Sequence, residues 1–246
     1  MITLGILITD NGPAPLLEQH GNFADLFERL LNGSDVAFEY RHYSVIDGEF
    51  PASLDECQAW LITGSAHGVY DDLPWMASLK TLIRTLHEQH SPLVGICFGH
   101  QIIAEALGAQ VEKFSGGWNL GIKAYQVSEQ LPCFGNDGVS EPVTQFAISA
   151  IHQDQVLTVP QGARVFASAP RCANAGLVWG DHILTFQGHP EFYRQYEQDL
   201  LTADLGVAFP DEELQPALEG LAEDALDDRK VGQWIARFIQ QGVAEK

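Results

Sequence analysis

The sequence is poor in basic residues and lacks long apolar runs. It has 13 Lys and Arg against 33 Asp and Glu, a formal net charge of −20. That balance argues against nucleic acid or an anionic membrane as the main partner, because both carry negative charge. No stretch approaches the roughly 18 consecutive apolar residues of a spanning helix. We therefore predict neither a nucleic-acid nor a membrane function.

Disulfide patterns are also missing. The four cysteines, Cys57, Cys97, Cys133 and Cys172, lie far apart and form no CxxC pair. We expect free thiols and a cytoplasmic location. The apolar N-terminus lacks a basic leader and a cleavage site, so we predict a first strand there and no signal peptide.

Strand-like and helical segments alternate in the first half of the chain. Apolar runs at 2–9, 36–45, 59–62 and 93–96 are typical of strands, and helical spacing follows from Phe23, from Trp75 and from Gly99. Such alternation indicates βαβ units around a mainly parallel sheet. We predict an α/β fold with helices flanking that sheet.

The second half follows a different pattern. Residues 110–187 carry five strand-like runs with little helical periodicity, so we predict antiparallel hairpins added to the sheet. Two helical segments follow, one with Tyr196 and one with Trp234. Between them, 211–228 holds eight acids and no base, which favours a solvated helix face or a mobile surface segment. We predict one domain over 1–246.

One segment has the pattern of a nucleophile. Gly95-Ile96-Cys97-Phe98-Gly99-His100-Gln101 lies where a buried strand gives way to a helix. This G-x-C-x-G pattern is the cysteine counterpart of a nucleophile elbow, whose small flanking residues allow a sharp turn. The sulfur would lie near the positive helix end, which favours the thiolate. A core cysteine between packing glycines fits the pattern alone equally well.

A thiolate nucleophile needs a base and a group that orients the base. His189 is the best of nine histidines, because the apolar run 183–186 delivers it to the loop Gln187-Gly188-His189-Pro190-Glu191. We predict Pro190 as the first residue of the next helix. Glu191 can reach the imidazole if the segment is still extended there. Both motifs follow strands of one parallel sheet, so we expect them to meet at its edge.

These motifs resemble those of the class I (triad) glutamine amidotransferases, whose fold is flavodoxin-like. Gly95–Gln101 looks like the family's nucleophile motif and Gly188–Glu191 like its His-Pro-Glu motif. Thr63-Gly64-Ser65 is similar to its oxyanion loop, and Gly116–Gly121 and the stretch from Ile151 to Ala169 are similar to further segments. The resemblance covers about 1–205, and 206–246 is a helical C-terminal extension that matches nothing.

The resemblance implies roles for individual residues. Cys97 would be the nucleophile, His189 the acid and base, and Glu191 the group that orients His189. The oxyanion hole would consist of backbone N–H groups of Phe98 and of Gly64 or its neighbour, and Gln101 would hold the substrate. His152 also matches a family position, where a structural role is favoured.

The implied activity is hydrolysis of the L-glutamine side-chain amide to glutamate and ammonia. The chain lacks a phosphate-binding G-x-x-x-x-G-K-[ST] loop, so either a separate synthetase subunit accepts the ammonia or the enzyme acts alone. One alternative is a standalone γ-glutamyl peptidase acting on γ-glutamyl compounds. A less favoured one is a catalytically idle binding or regulatory module.

We expect no cofactor and no metal site. Four histidines are considered as metal ligands. His87 and His90 could share a helix face, and His67 and His100 are the other two. No carboxylate or cysteine joins them at ligand spacing, so we predict solvated or packed histidines. Asp71 and Asp72 are predicted to cap the helix that Trp75 anchors.

Overall fold

A computed structural model of the chain describes residues 1–135, 141–203 and 209–245. Its strands are β1 (Ile2–Ile8), β2 (Phe38–Ser44), β3 (Ala59–Ile62), β4 (Leu93–Ile96), β5 (Val111–Lys113), β6 (Asn119–Val127), β7 (Gln145–His152), β8 (Asp154–Val156), β9 (Arg164–Ala169), β10 (Cys172–Trp179) and β11 (Ile183–Phe186). Its helices are α1 (Ala14–His20), α2 (Phe23–Leu31), α3 (Pro74–Glu88), α4 (Phe98–Ala106), α5 (Arg194–Thr202), α6 (Asp211–Glu223) and α7 (Asp228–Ala244).

The central sheet joins a parallel half to an antiparallel half. Its strand order is β2-β1-β3-β4-β11-β10-β9-β6-β7, and β5 pairs with β8 in a small second sheet. Pairing is parallel from β2 to β11 and antiparallel from β11 to β7. Strand β11 lies at the junction, where it pairs in parallel with β4. The predicted α/β fold with added antiparallel hairpins is confirmed.

Helices cover both faces of the parallel half. In β1, Leu4 and Ile6 pack in one apolar cluster with residues of α2 and α7. Leu7 points to the other face, where its cluster includes residues of α3 and α4. This alternation within an almost wholly apolar strand is what burial on both faces requires. The core thereby fixes the strand ends from which the candidate site is built.

Two local predictions need correction. Helix α1 was not predicted, because only Leu16 of its seven residues is buried and no apolar periodicity marks it. The acidic segment is also more than a solvated face. Ala217 and Leu221 of α6 are buried, and a Cβ on Gly121 would lie 2.8 Å from that of Ala217. Helix α6 therefore packs directly on β6, and small residues allow the close approach.

The proposed domain organisation stays a prediction. The boundary between 1–205 and 206–246 lies within 204–208, outside the described residues. Among the residues that are described, no helix is both long and apolar enough to cross a membrane.

Candidate active site

Cys97 occupies a sharp turn between β4 and α4. Its backbone has φ 52° and ψ −102°, and it is one of three non-glycine residues with positive φ among those described. L-residues adopt positive φ at an energetic cost, so the surrounding structure must hold this turn. One restraint is a hydrogen bond of 2.8 Å from the Cys97 N–H to the carbonyl of Phe186. The end of β4 is thus tied to the end of β11.

The glycines on either side of Cys97 are required by close packing. A Cβ on Gly99 would lie 2.4 Å from the carbonyl oxygen of Ile62. A Cβ on Gly95 would lie 2.7 Å from the carbonyl oxygen of Gly99. Backbone atoms cannot move aside as a flexible side chain can. The predicted need for small residues around the turn is therefore met, and α4 begins directly against β3.

His189 and Glu191 form a buried pair just after β11. The Nδ1 atom of His189 lies 2.7 Å from Oε1 of Glu191, and both residues are 3% exposed. Pro190 does not begin a helix, contrary to the prediction, because α5 starts only at Arg194. The 190–193 segment stays non-helical, which lets Glu191 face back to the ring. The prediction that Glu191 can reach the imidazole required a non-helical segment, and that requirement is met. The predicted helix start at Pro190 was wrong.

The ring of His189 is enclosed on several sides. Phe192 stacks on it with ring centroids 4.0 Å apart and an interplanar angle of 5°. The His189 N–H donates to the carbonyl of Ser149 at 2.8 Å. Burial alone lowers the pKa of His189, but the charges of Glu191 and Cys97 and side-chain hydrogen bonds to both raise it to about 10. With Nδ1 committed to Glu191, Nε2 is left to face Cys97.

Gly64 lies beside both Cys97 and His189. A Cβ on Gly64 would lie 2.9 Å from Cε1 of His189 and 3.8 Å from Cβ of Cys97. The Thr63 carbonyl accepts from the Gly99 N–H at 3.2 Å and from Thr9 Oγ1 at 3.1 Å. Because the peptide is planar, these bonds also fix the direction of the Gly64 N–H. Phe98 is the first residue of α4, so its N–H has no acceptor within the helix.

Two glutamine side chains connect α4 to the sulfur. Gln101 is 3% exposed, and its Nε2 donates to the Asp154 carbonyl at 2.9 Å and to Oε1 of Gln187 at 3.2 Å. Gln187 Nε2 in turn donates to Sγ of Cys97 at 3.7 Å. Gln187 was not predicted to have a role, although it precedes Gly188 in the same motif. A donor to sulfur stabilises negative charge there.

Cys97 and His189 line one open cleft of about 610 Å³, and Glu191 lies buried behind the His189 ring. Its walls include Cys97, His189, Gln101, His152, Trp118 and Lys113, with Asp10, Asp71 and Asp154 also present. Trp118 is held from outside the cleft, because its backbone N–H donates to the carboxylate of Glu213 on α6 at 3.1 Å. The acidic helix therefore supports a wall of the cleft, a contact that charge patterning alone did not indicate.

The other residues singled out from the sequence lie in packed or hydrogen-bonded positions. Burial lowers the pKa of His152 and of His100 to about 3, so both rings are neutral. Helix α3 has Leu73 as its N-cap, without a side-chain cap, so Asp71 and Asp72 do not cap it as predicted. Asp71 instead accepts from the Gly68 N–H at 3.0 Å. Trp75 is buried against Phe98, with ring centroids 5.6 Å apart, and anchors the helix.

Comparison with known proteins agrees with this arrangement. The family model for glutamine amidotransferase class-I matches residues 40–206. Gamma-glutamyl peptidase 5 of Arabidopsis thaliana is 29% identical over 83% of this chain and 82% of its own. A GMP synthase [glutamine-hydrolyzing] of Aromatoleum aromaticum is 31% identical over 72% of this chain but only 33% of its own.

Solved structures agree on the fold. The crystal structure of a glutamine amidotransferase from Thermotoga maritima superimposes with a TM-score of 0.71, at 20% identity, over 99% of this chain and 98% of that one. The match of the family model to more than half of the sequence settles the relationship. The chain belongs to the class I glutamine amidotransferase family.

Proposed function

We propose that this protein hydrolyses the γ-amide bond of L-glutamine through a thioester on Cys97, releasing glutamate and ammonia. One observation carries the proposal. Cys97, held in a positive-φ turn, meets a buried His189–Glu191 pair in a single cleft. A nucleophile, a base and a group that orients the base are what covalent amide hydrolysis requires.

In the first step the Cys97 thiolate attacks the side-chain carboxamide carbon, forming a C–S bond and a tetrahedral oxyanion. The N–H groups of Gly64 and Phe98 are the proposed donors to that oxyanion. Removal of one such donor typically costs about 3–4 kcal/mol of transition-state stabilisation. The C–N bond then breaks, and protonated His189 gives its proton to the departing ammonia, leaving a γ-glutamyl thioester.

In the second step His189 removes a proton from water, which attacks the thioester and releases glutamate and the Cys97 thiolate. The raised pKa of His189 suits the first step, because the ring holds its proton until an amine leaves. Glu191 compensates the positive charge, and the stacked Phe192 restricts the ring plane. Gln101 is proposed to contact the substrate from the floor of the cleft.

The cleft volume favours a second candidate, a γ-glutamyl peptidase. About 610 Å³ lies within the range of about 300–1,000 Å³ typical of sites for drug-sized ligands, whereas glutamine has only ten non-hydrogen atoms. A γ-glutamyl peptide would place its leaving group in the remaining space. Relatives named gamma-glutamyl peptidase also match most of this chain.

The third question is whether a synthetase subunit accepts the ammonia. A separate synthetase subunit that accepts the ammonia is part of the proposal, and the match to a GMP synthase over 33% of that protein supports it. The hydrogen bond between His189 and Glu191 and the interaction of His189 with Cys97 argue against an idle module. All four cysteines are free, which supports the proposed cytoplasmic location.

The test is glutamate release from L-glutamine and from γ-glutamyl dipeptides by purified protein, with Cys97→Ala and Cys57→Ala variants. We expect Cys97→Ala to lose turnover on every substrate without unfolding, and Cys57→Ala to retain it. Faster release from dipeptides would assign the peptidase. Turnover retained by Cys97→Ala would refute the proposed nucleophile.

A further inference from the structure

Three histidines meet at the edge of the sheet opposite Cys97. His87 lies in the last turn of α3 and His90 follows that helix, just before β4. His182 directly precedes β11. Since His189 follows the same strand, seven residues at about 3.3 Å each place the histidine cluster roughly 20 Å from the catalytic ring. The cluster has no part in the proposed hydrolysis.

His182 is the central member, and one of its nitrogens makes no hydrogen bond with a described residue. The residue is 5% exposed, and its Nε2 lies 2.9 Å from Nδ1 of His87. Its Nδ1 is buried and makes no hydrogen bond with any described residue. A proton on Nε2 can be donated to His87, which leaves a lone pair on Nδ1. In that tautomer the ring offers the Nδ1 lone pair that a metal-binding imidazole needs.

A second imidazole and a carboxylate converge on that lone pair. Asp181 Oδ1 lies 3.6 Å from Nδ1 of His182. The ring of His90 lies 4.5 Å, between centroids, from that of His182. One ligand atom each from His90, Asp181 and His182 lie within 4.8 Å of one another. The side chain of Glu245 lies close to that of Asp181, so two carboxylates approach each other beside the histidines.

We propose that His90, Asp181 and His182 bind a divalent transition-metal ion of the zinc class. Two imidazole nitrogens and a carboxylate oxygen are a ligand set that Zn²⁺ accepts, with water or the Glu245 carboxylate in the fourth position. Bond lengths of about 2.0–2.2 Å require the three ligand atoms to close in. His90 and Asp181 are exposed, while His182 is buried and contacts His87.

A bound ion would link the segment after α3 to the turn between β10 and β11. This pairing spans about ninety residues, so no local ligand spacing in the sequence indicates it.

The experiment measures Zn²⁺ binding to untagged full-length protein by equilibrium dialysis. All proteins carry Cys97→Ala, so that the thiol and His189 cannot provide a competing zinc site. The test variants are His90→Ala and Asp181→Asn, which change exposed side chains. His42→Ala is the control, because His42 is an exposed histidine beside a carboxylate, 2.7 Å from Glu28, on β2. Circular dichroism checks that each variant is folded.

We expect the parent and His42→Ala to bind one Zn²⁺ per chain, and His90→Ala and Asp181→Asn to bind at least about tenfold more weakly. Zn²⁺ should also raise the melting temperature of the parent and of His42→Ala, but not that of the two test variants. Equal affinity in all four proteins would overturn the proposal, as would a parent that binds no Zn²⁺.

Discussion

Gly64 lies against the ring of His189, and a Cβ at that position would be 2.9 Å from the Cε1 atom of that ring. Phe192 stacks on the same ring, with centroids 4.0 Å apart, so the ring cannot move away from Gly64 on that side. The loop after β3 thus helps to set the distance between imidazole and sulfur. A side chain on Gly64 should therefore disturb catalysis while leaving the core of the sheet intact.

Gly64→Ala should lower kcat by about a hundredfold, because a displacement of about 1 Å in a catalytic group can have that effect. Steady-state glutamate release measures it. Gly135→Ala is the control, since among the described residues outside its chain neighbours the nearest atom to a Cβ there is 3.7 Å away. Unchanged kcat in Gly64→Ala would show that the ring has room that the structure does not indicate.

Glu191→Gln should move the alkaline limb of the pH–rate profile to lower pH. The charge of Glu191 is a main cause of the raised pKa of His189, opposing burial. Without that charge the ring loses its proton at lower pH, so the leaving amine is protonated less readily. We expect kcat at neutral pH to fall by about a hundredfold or more. Glu18→Gln, an exposed substitution, should leave the profile unchanged. An alkaline limb that does not move would contradict the role given to Glu191.

His100 should make folding stability fall in acid. Its ring is fully buried and bonds Thr185 through Nδ1 at 2.8 Å, and burial lowers its pKa from 6.5 to about 3. The unfolded state binds the extra proton between these values, so stability is lost as pH falls below about 6.5. At pH 5 the loss from this group is about 2 kcal/mol. Urea unfolding of wild type and His100→Asn at pH 7 and 5 tests this, and an equal change in both would contradict it.

Glu197 should act in the opposite direction. It lies buried on α5, accepts a hydrogen bond from Ser149, and has its pKa raised by burial from 4.5 to about 7. Here the folded state holds the extra proton, so stability is greatest below about pH 4.5 and is lost as pH rises through 7. Ionisation of Glu197 at high pH lowers the free energy of unfolding by about 3 kcal/mol at most, and Glu197→Gln removes this effect. Urea unfolding between pH 5 and 8 should show a flatter profile for Glu197→Gln than for Glu223→Gln, an exposed control, and parallel profiles would refute this.

Sequence patterns predicted the features that depend on local chemistry. The turn at Cys97 is encoded by neighbouring glycines, and the strands before Cys97 and His189 by apolar runs buried on both faces. Because both strands are parallel neighbours, their ends had to meet at one edge. The approach of His189 to Cys97 could therefore be argued before any coordinates.

The features that were missed depend on contacts between distant parts of the chain. Gln187 reaches sulfur across ninety residues, and Glu213 supports Trp118 from a helix near the end of the chain. His182 meets His87 only because β11 lies next to β4. Helix α1 buries one side chain and so has no apolar stripe. Local periodicity contains none of these pairings.

The central claim is that Cys97 is a nucleophile activated by His189. Labelling with 6-diazo-5-oxo-norleucine, a glutamine-like electrophile, tests it most directly, with peptide mapping by mass spectrometry to locate the adduct. We expect rapid modification of Cys97 alone, much slower modification in His189→Ala, and none in Cys97→Ala. An unmodified protein, or label spread over Cys57, Cys133 and Cys172 at the same rate, would contradict it.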